Sequence, residues 1–304
     1  MSELAIEILD LAKSYGPVPA LRGLSMRVER GRVVALLGPN GAGKTTCLRI
    51  LIGLLHADSG VARVLGRDAW TAPPEHRRRI GYLSEEGFAW PNMTFERAAA
   101  FAGSFFPTWD GAYLERLASS LQVPGGVPIA TMSRGQARKA ALALVLAPKP
   151  DVLLLDDPAS GLDPAARREM TAALAGLLRE TGATIVYSSH ILSDVERLAD
   201  EVCIIQGGRA VLHEPLEELK AGARRVVVRA PPSLTSSLAI LPGVLRARRE
   251  GEAMVLTVVN PGEGFRQAIE RAREGGADGV QESSLSLEDL YIDVVAPGGA
   301  PGDG

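Results

Sequence analysis

The chain has 304 residues, 46% of them hydrophobic and 23% charged, with a formal net charge of −3. That length carries one large domain and a smaller one, each able to bury a core, in a composition typical of globular proteins. The slightly negative charge excludes a global basic field that would draw the chain onto nucleic acid, and no run approaches the ~18 apolar residues that span a bilayer.

The N-terminus opens on polar and acidic residues, so no signal peptide is expected. Leu4 to Leu9 and Leu24 to Val28 then read as strands. Val33 to Leu37 is a continuous apolar run, followed by a glycine-rich turn and a helical pattern from Gly43 to about Leu54. Val61 to Leu65 and Ile80 to Leu83 are further short strands. The pattern turns helical from Thr94 to about Leu121, broken at Pro107-Thr108-Trp109-Asp110, and helical again from Ser133 to Leu146. Val152 to Asp156, Thr184 to Tyr187 and Val202 to Ile205 read as buried strands, alternating with helices that begin near Pro164 and Ile191. This alternation predicts a mostly parallel sheet covered on both faces.

Past Ala223 the order changes to strand (Arg225 to Arg229), helix, strand (Val244 to Arg249), strand (Ala253 to Val258), helix (Glu263 to Arg273), strand and a short last helix. It predicts a small accessory α+β domain over residues 223–295, either a dimer-stabilising module or a ligand sensor. The Gly- and Pro-rich tail, 296–304, is expected to be disordered. Cys47 and Cys203 have neither disulfide-framework nor metal-ligand spacing and are expected as buried thiols.

Two segments carry chemistry. Gly38-Pro39-Asn40-Gly41-Ala42-Gly43-Lys44-Thr45, with Thr46 behind it, follows a strand and opens a helix, the context a phosphate-binding loop requires. Its glycines let backbone N–H groups approach phosphate oxygens, and the positive end of the helix dipole points at the same place. Lys44 supplies a charge for the β- and γ-phosphates, and Thr45 a hydroxyl for Mg²⁺. Leu153-Leu154-Leu155-Asp156-Asp157 is a buried strand ending in two acids. Beside the cradle, Asp156 is placed to hold Mg²⁺ and Asp157 to orient or deprotonate the attacking water; read alone, the same pair also fits a helix-capping turn.

Met132-Ser133-Arg134-Gly135-Gln136, at the start of a helix, resembles the signature sequence of ATP-binding cassettes (ABC). The family's other stations follow in order. Tyr15 matches the adenine-stacking aromatic, and Glu85, in Gly81-Tyr82-Leu83-Ser84-Glu85-Glu86, the Q-loop glutamine. Ser160-Gly161-Leu162-Asp163 matches the D-loop and His190 the switch histidine. The resemblance covers about residues 3–220.

It implies an α/β P-loop NTPase cassette over 1–222. That fold has a RecA-like mixed-sheet core, an antiparallel β subdomain and an inserted helical subdomain over about 86–150. It implies ATP and Mg²⁺ as cofactors, with Thr45, Asp156 and Glu85 about the metal and Asp157, His190 and Lys44 as catalytic groups. Tyr15 and residues 38 to 46 would hold the nucleotide, while Ser133, Gly135, Gln136 and Asp163 address the ATP of a second cassette. The implied partners are that second cassette, in a homodimer or heterodimer, and an integral-membrane permease on a separate chain, with no nucleic acid. The implied location is the cytoplasmic face of the membrane.

Three positions depart from the family pattern: Asp157 replaces a glutamate, Glu85 a glutamine, and Arg134 a glycine. A catalytic group displaced by ~1 Å can lose about 100-fold in rate, so a slow cassette leaning on a partner is one alternative. A soluble ABC ATPase without a transport role is another. Glu85 to Asp110, with Phe101, Phe105 and Phe106, and the ending Leu285-Ser286-Leu287-Glu288-Asp289-Leu290-Tyr291 resemble the ABC-2-type export branch. The aromatics fit either core packing or a groove for a permease helix.

Overall fold

The computed structural model describes residues 3–85, 90–230, 232–274 and 279–295. The chain divides into two compact units, Met1–His213 and Glu214–Gly304.

In the first unit, β1 (Leu4–Tyr15) and β2 (Val18–Glu29) form a long antiparallel pair. β1 outruns the alternation that ends at Leu9 because Asp10 takes a left-handed φ of 47° and the register slips between Ile8 and Leu11. Such a bulge resets which face each side chain meets, so a period-two pattern stops while the strand continues. β3 (Val33–Leu37) is buried throughout and feeds α1 (Lys44–Leu51). α1 stops short of Leu54 because Gly53 turns left-handed at φ 73° just past its end. β4 (Ser59–Val64) and β5 (Arg67–Asp68) complete a sheet of order β2-β1-β4-β5.

Next come α2 (Pro74–Arg77), β6 (Ile80–Leu83), α3 (Phe95–Gly103), α4 (Gly111–Ser120) and α5 (Arg134–Leu146). β7 (Val152–Leu155), α6 (Pro164–Thr181), β8 (Thr184–Ser188), α7 (Leu192–Leu198), β9 (Glu201–Gln206) and β10 (Arg209–Pro215) follow. β10, not anticipated from the sequence, is joined to β9 by Gly207 and Gly208, both left-handed. Three helices, α3 to α5, fill the chain between β6 and β7 where a helical insertion was expected; residues 86–89 of that range lie outside the described residues. The second sheet runs β10-β9-β3-β8-β7-β6, with β3 and β6 to β9 parallel. Parallel strands deliver all their carboxyl ends to one edge, which is where ligands bind in such sheets. One apolar cluster, including Ile6, Leu24, Leu48, Val34, Leu154 and Val186, joins this sheet to the first through α1.

The second unit comprises α8 (Leu216–Gly222), β11 (Arg224–Arg229), α9 (Pro232–Ala239), β12 (Val244–Glu250), β13 (Ala253–Val258), α10 (Glu263–Glu274), β14 (Gly279–Ser284) and α11 (Leu287–Val295). Its antiparallel sheet runs β12-β13-β11-β14. The division falls before the boundary at 222/223 drawn from the sequence, because α8 runs directly into β11, the Ala223 N–H still bonding the Leu219 carbonyl. Val226, Val228, Leu256, Val258, Phe265 and Ile269 form a separate core. α11 is tied to the sheet by buried Asp293, which accepts from Arg225 Nη2 at 2.8 Å and Thr257 Oγ1 at 2.9 Å. The tail expected to be disordered, 296–304, lies outside the described residues.

Candidate nucleotide site

β3, β8 and β7 are neighbours, so the loops leaving their carboxyl ends meet. The loop after β3 turns tightly, the Ala42 N–H bonding the Pro39 carbonyl at 3.1 Å. Two of its glycines are compulsory on steric grounds. A Cβ at Gly38 (φ 152°) would lie 2.3 Å from the Ile205 carbonyl oxygen, and one at Gly43 (φ 107°) 2.6 Å from that of Ala20. Gly43 is the N-cap of α1, so the first unpaired N–H groups of that helix open onto the loop. Lys44 Nζ donates to the Gly38 and Pro39 carbonyls at 2.6 and 3.0 Å. Burial lowers its pKa, against the opposing pull of Asp157, Asp156 and Glu85. An ammonium held on neutral carbonyls in a desolvated cleft is poised to exchange them for an anion.

Asp156 leaves β7 almost fully buried. Its Oδ1 accepts from Thr45 Oγ1 at 3.0 Å and from Ser188 Oγ at 2.9 Å, while its Oδ2 is buried with no hydrogen-bond partner. A buried, unsatisfied carboxylate oxygen is costly unless a cation meets it. Ser188 also accepts from the Asp157 N–H at 2.8 Å, pinning the next residue. Asp157 sits at φ 43°, a left-handed conformation uncommon outside glycine. Its Oδ2 lies 3.0 Å from His190 Nδ1, and its Oδ1 is buried without a partner. Burial raises the Asp157 pKa, and His190 and Arg138 pull it back. A carboxylate made more basic is better able to take a proton from water.

Sequence reasoning missed Arg138. This α5 residue is buried, and its guanidinium donates to the carbonyls of Asp156 (2.7 Å), Asp157 (2.6 Å) and Pro158 (3.2 Å), and also to those of Ser84 and Glu85. Desolvation lowers its pKa, against the nearby Asp157, Asp156 and Glu85. One planar cation thus fastens the β6 and β7 exits to the helix that carries the signature segment.

A cleft of about 480 Å³ gathers most of the predicted residues: Asn40 to Thr46, Tyr15, Glu85, Asp156, Asp157 and His190, with Ser188 and Ser189 added. Gly38 and Pro39 lie beneath it as the acceptors of Lys44. Tyr15, at the end of β1, lines the cleft and is 49% exposed. Ser133, Gly135, Gln136 and Asp163 do not line the cleft. Ser133 caps α5 in a reciprocal box with Gln136, at 3.2 and 2.9 Å, and with Arg134 remains exposed. Asp163 caps α6 through the N–H groups of Ala165 and Ala166 at 2.8 and 2.9 Å.

A sequence model of the ABC transporter family matches residues 21–160. The chain is 32% identical to the Nod factor export ATP-binding protein I of Burkholderia pseudomallei (strain K96243), over 96% of this chain and 97% of that protein. To the protein of the same name from Rhizobium etli it is 29% identical, over 95% of this chain and 92% of that one. Among solved structures, an ATP-binding subunit of an ABC transporter superposes with a TM-score of 0.64 at 27% identity, covering 71% of this chain and 92% of that one. The cbiO1 subunit of Clostridium perfringens, part of the ABC transporter complex cbiONQ, gives 0.61 at 26% identity, over 72% and 91%.

Proposed function

Because the chain belongs to the ABC transporter family of ATP-binding subunits, we propose that it hydrolyses Mg²⁺-ATP in the cleft at the exits of β3, β7 and β8, and so drives a permease carried on a separate chain. The observation that carries this reading is one sheet edge holding a steric cradle, a buried acid with an open oxygen, a second acid of raised pKa and an imidazole. The residues suit a hard divalent cation, with the Asp156 Oδ2 and the Thr45 hydroxyl as oxygen donors and Glu85 nearby. Bound there, Mg²⁺ neutralises charge on the β- and γ-phosphates.

The chain's own groups account for the remaining steps. Tyr15 stacks on adenine, and the loop N–H groups and Lys44 hold the phosphates, Lys44 leaving its two carbonyls to do so. Asp157 accepts the water proton, its carboxylate oriented by His190 Nδ1 3.0 Å from Oδ2. The exposed Ser133 at the α5 N-terminus offers a hydroxyl and a helix dipole to the ATP of a second copy.

No helix among the described residues is long and apolar enough to cross a membrane. Trp90, Phe101 and Phe105 form a run of edge-to-face rings with centroids 5.1 Å apart, and Phe101 and Phe105 are exposed. This supports the groove over core packing as the seat of a permease helix. The Nod factor export relatives support outward transport of a small solute or drug, with the subunit at the cytoplasmic face of the membrane.

Steady-state hydrolysis by the purified chain tests the reading. Turnover lost in Lys44→Ala and little changed in Asp157→Glu is expected. A wild-type chain that turns over only after Asp157→Glu would instead establish a slow cassette that needs a more active partner. Failure to bind ATP at all would overturn both.

A further inference from the structure

The cleft that holds Lys44 is short of positive charge. Among the described residues lining it, Glu85, Asp156 and Asp157 are carboxylates, and Lys44 is the one lysine or arginine. Arg138 lies close by, but its guanidinium is committed to main-chain carbonyls. Even with a divalent cation bound, a nucleoside triphosphate leaves this cleft with an excess of negative charge. During phosphoryl transfer that charge gathers on the oxygens of the γ-phosphoryl group, where a fixed cation stabilises it most.

A cation with no other engagement stands on a neighbouring surface. Arg134, the first residue of α5, is exposed and has no hydrogen-bond or ion-pair partner among the described residues. It directly follows Ser133, whose hydroxyl the proposed function directs to the ATP of a second copy. Its stem passes beside the segment Ser160-Gly161-Leu162-Asp163: a Cβ on Gly161, left-handed at φ 73°, would lie 4.0 Å from Arg134 Cδ. A Cβ on Gly135 would lie 3.5 Å from Leu162 Cδ2. The two loops therefore form one surface on which Ser133, Arg134, Gly161 and Asp163 are exposed, and none of these four lines the chain's own cleft. The cleft lacks a cation, and the surface assigned to the opposite copy carries a free one.

We propose that Arg134 is a catalytic residue of the other copy's site. When a second chain covers the cleft, its Arg134 guanidinium donates to the γ-phosphate oxygens of the ATP bound there. This rests on the two-copy reading given under the proposed function. The water oxygen forms the new bond to the γ-phosphorus, the bond to the β–γ bridging oxygen breaks, and the electron pair leaves with ADP. The water proton goes to Asp157, while Arg134 stays protonated and compensates the charge on the transferred group.

Steady-state hydrolysis and equilibrium ATP binding by full-length Arg134→Gln test this, the exposed position sparing the fold. We expect kcat to fall at least about tenfold while ATP affinity stays within about threefold of wild type. Complementation then locates the effect. Arg134→Gln chains keep Asp157 and Asp157→Asn chains keep Arg134, so an equal mixture holds complete sites only in mixed pairs. Random pairing completes about a quarter of all sites, and the mixture should approach about a quarter of the wild-type rate. An undiminished kcat in Arg134→Gln, or equal losses of kcat and ATP affinity, would overturn the inference. So would a mixture no faster than the average of its two components measured alone. A wild-type chain that hydrolyses no ATP would remove the reading beneath it and the inference together.

Discussion

Every hydrogen bond described for the Arg138 guanidinium ends on a main-chain carbonyl, and those carbonyls belong to the two loops that present Glu85, Asp156 and Asp157. Its task is therefore geometric. Arg138→Lys keeps the charge but replaces a planar fork with a point donor. We expect it to lower kcat well before it weakens ATP binding, because the cradle around Lys44 is untouched. Arg138→Met should cost about 3 kcal/mol or more in a denaturant titration, since it strands several buried carbonyls at once. Equal losses of ATP affinity and kcat in the lysine variant would show that Arg138 supports the whole cleft rather than the acids. The cradle was legible in the sequence because phosphate geometry dictates the spacing of Gly38, Gly43 and Lys44. Arg138 was not, because arginines are scattered along the chain and most are solvated. Its signal was subtler: a cation among Ala140, Ala141 and Leu142 on the buried part of α5. The 3.0 Å contact between Asp157 and His190 was also beyond spacing arguments, since it depends on how β7 and β8 pair.

Two motifs that look purely functional in the sequence also hold up helices. Ser133 with Gln136 closes the start of α5, and Asp163 closes that of α6. The Asp163 carboxyl is held below the usual range, first by the Ala166 N–H and then by that of Ala165. A depressed folded pKa means stability present above the ordinary carboxylate range, near pH 4, and lost as pH falls through the lower folded value. Asp163→Asn keeps a capping oxygen without the charge. It should therefore unfold at lower denaturant than wild type at pH 7, with the gap closing as pH falls below the ordinary carboxylate range. A gap independent of pH would assign the effect to cap geometry alone. At this scale, strands with clean alternation or unbroken apolar runs were legible, β3 and β7 above all. The far half of β1 was hidden by the bulge at Asp10, so Tyr15 emerged as a strand-end residue only in three dimensions.

Each of the two units has its own apolar cluster. Domains with separate cores fold separately, so a fragment ending at Pro215, which completes β10, should bind ATP within a few-fold of the full chain. Loss of binding in a fragment that shows native circular dichroism would make the second unit part of the nucleotide site. The order of elements in both units was readable because hydrophobic period distinguishes helix from strand. The division was not, because α8 leads into β11 without a break in composition.

Ser133 and Asp163 stand outside the cleft that holds Lys44, Asp156 and Asp157. If their place is on another molecule's nucleotide, the rate law must show it. Velocity should climb with the square of protein concentration while chains are mostly single, and become proportional to it once they have paired. Mixing in Lys44→Ala chains should then depress velocity by more than their share of the total. A serial dilution in which turnover per chain never declines would place the whole reaction within one copy.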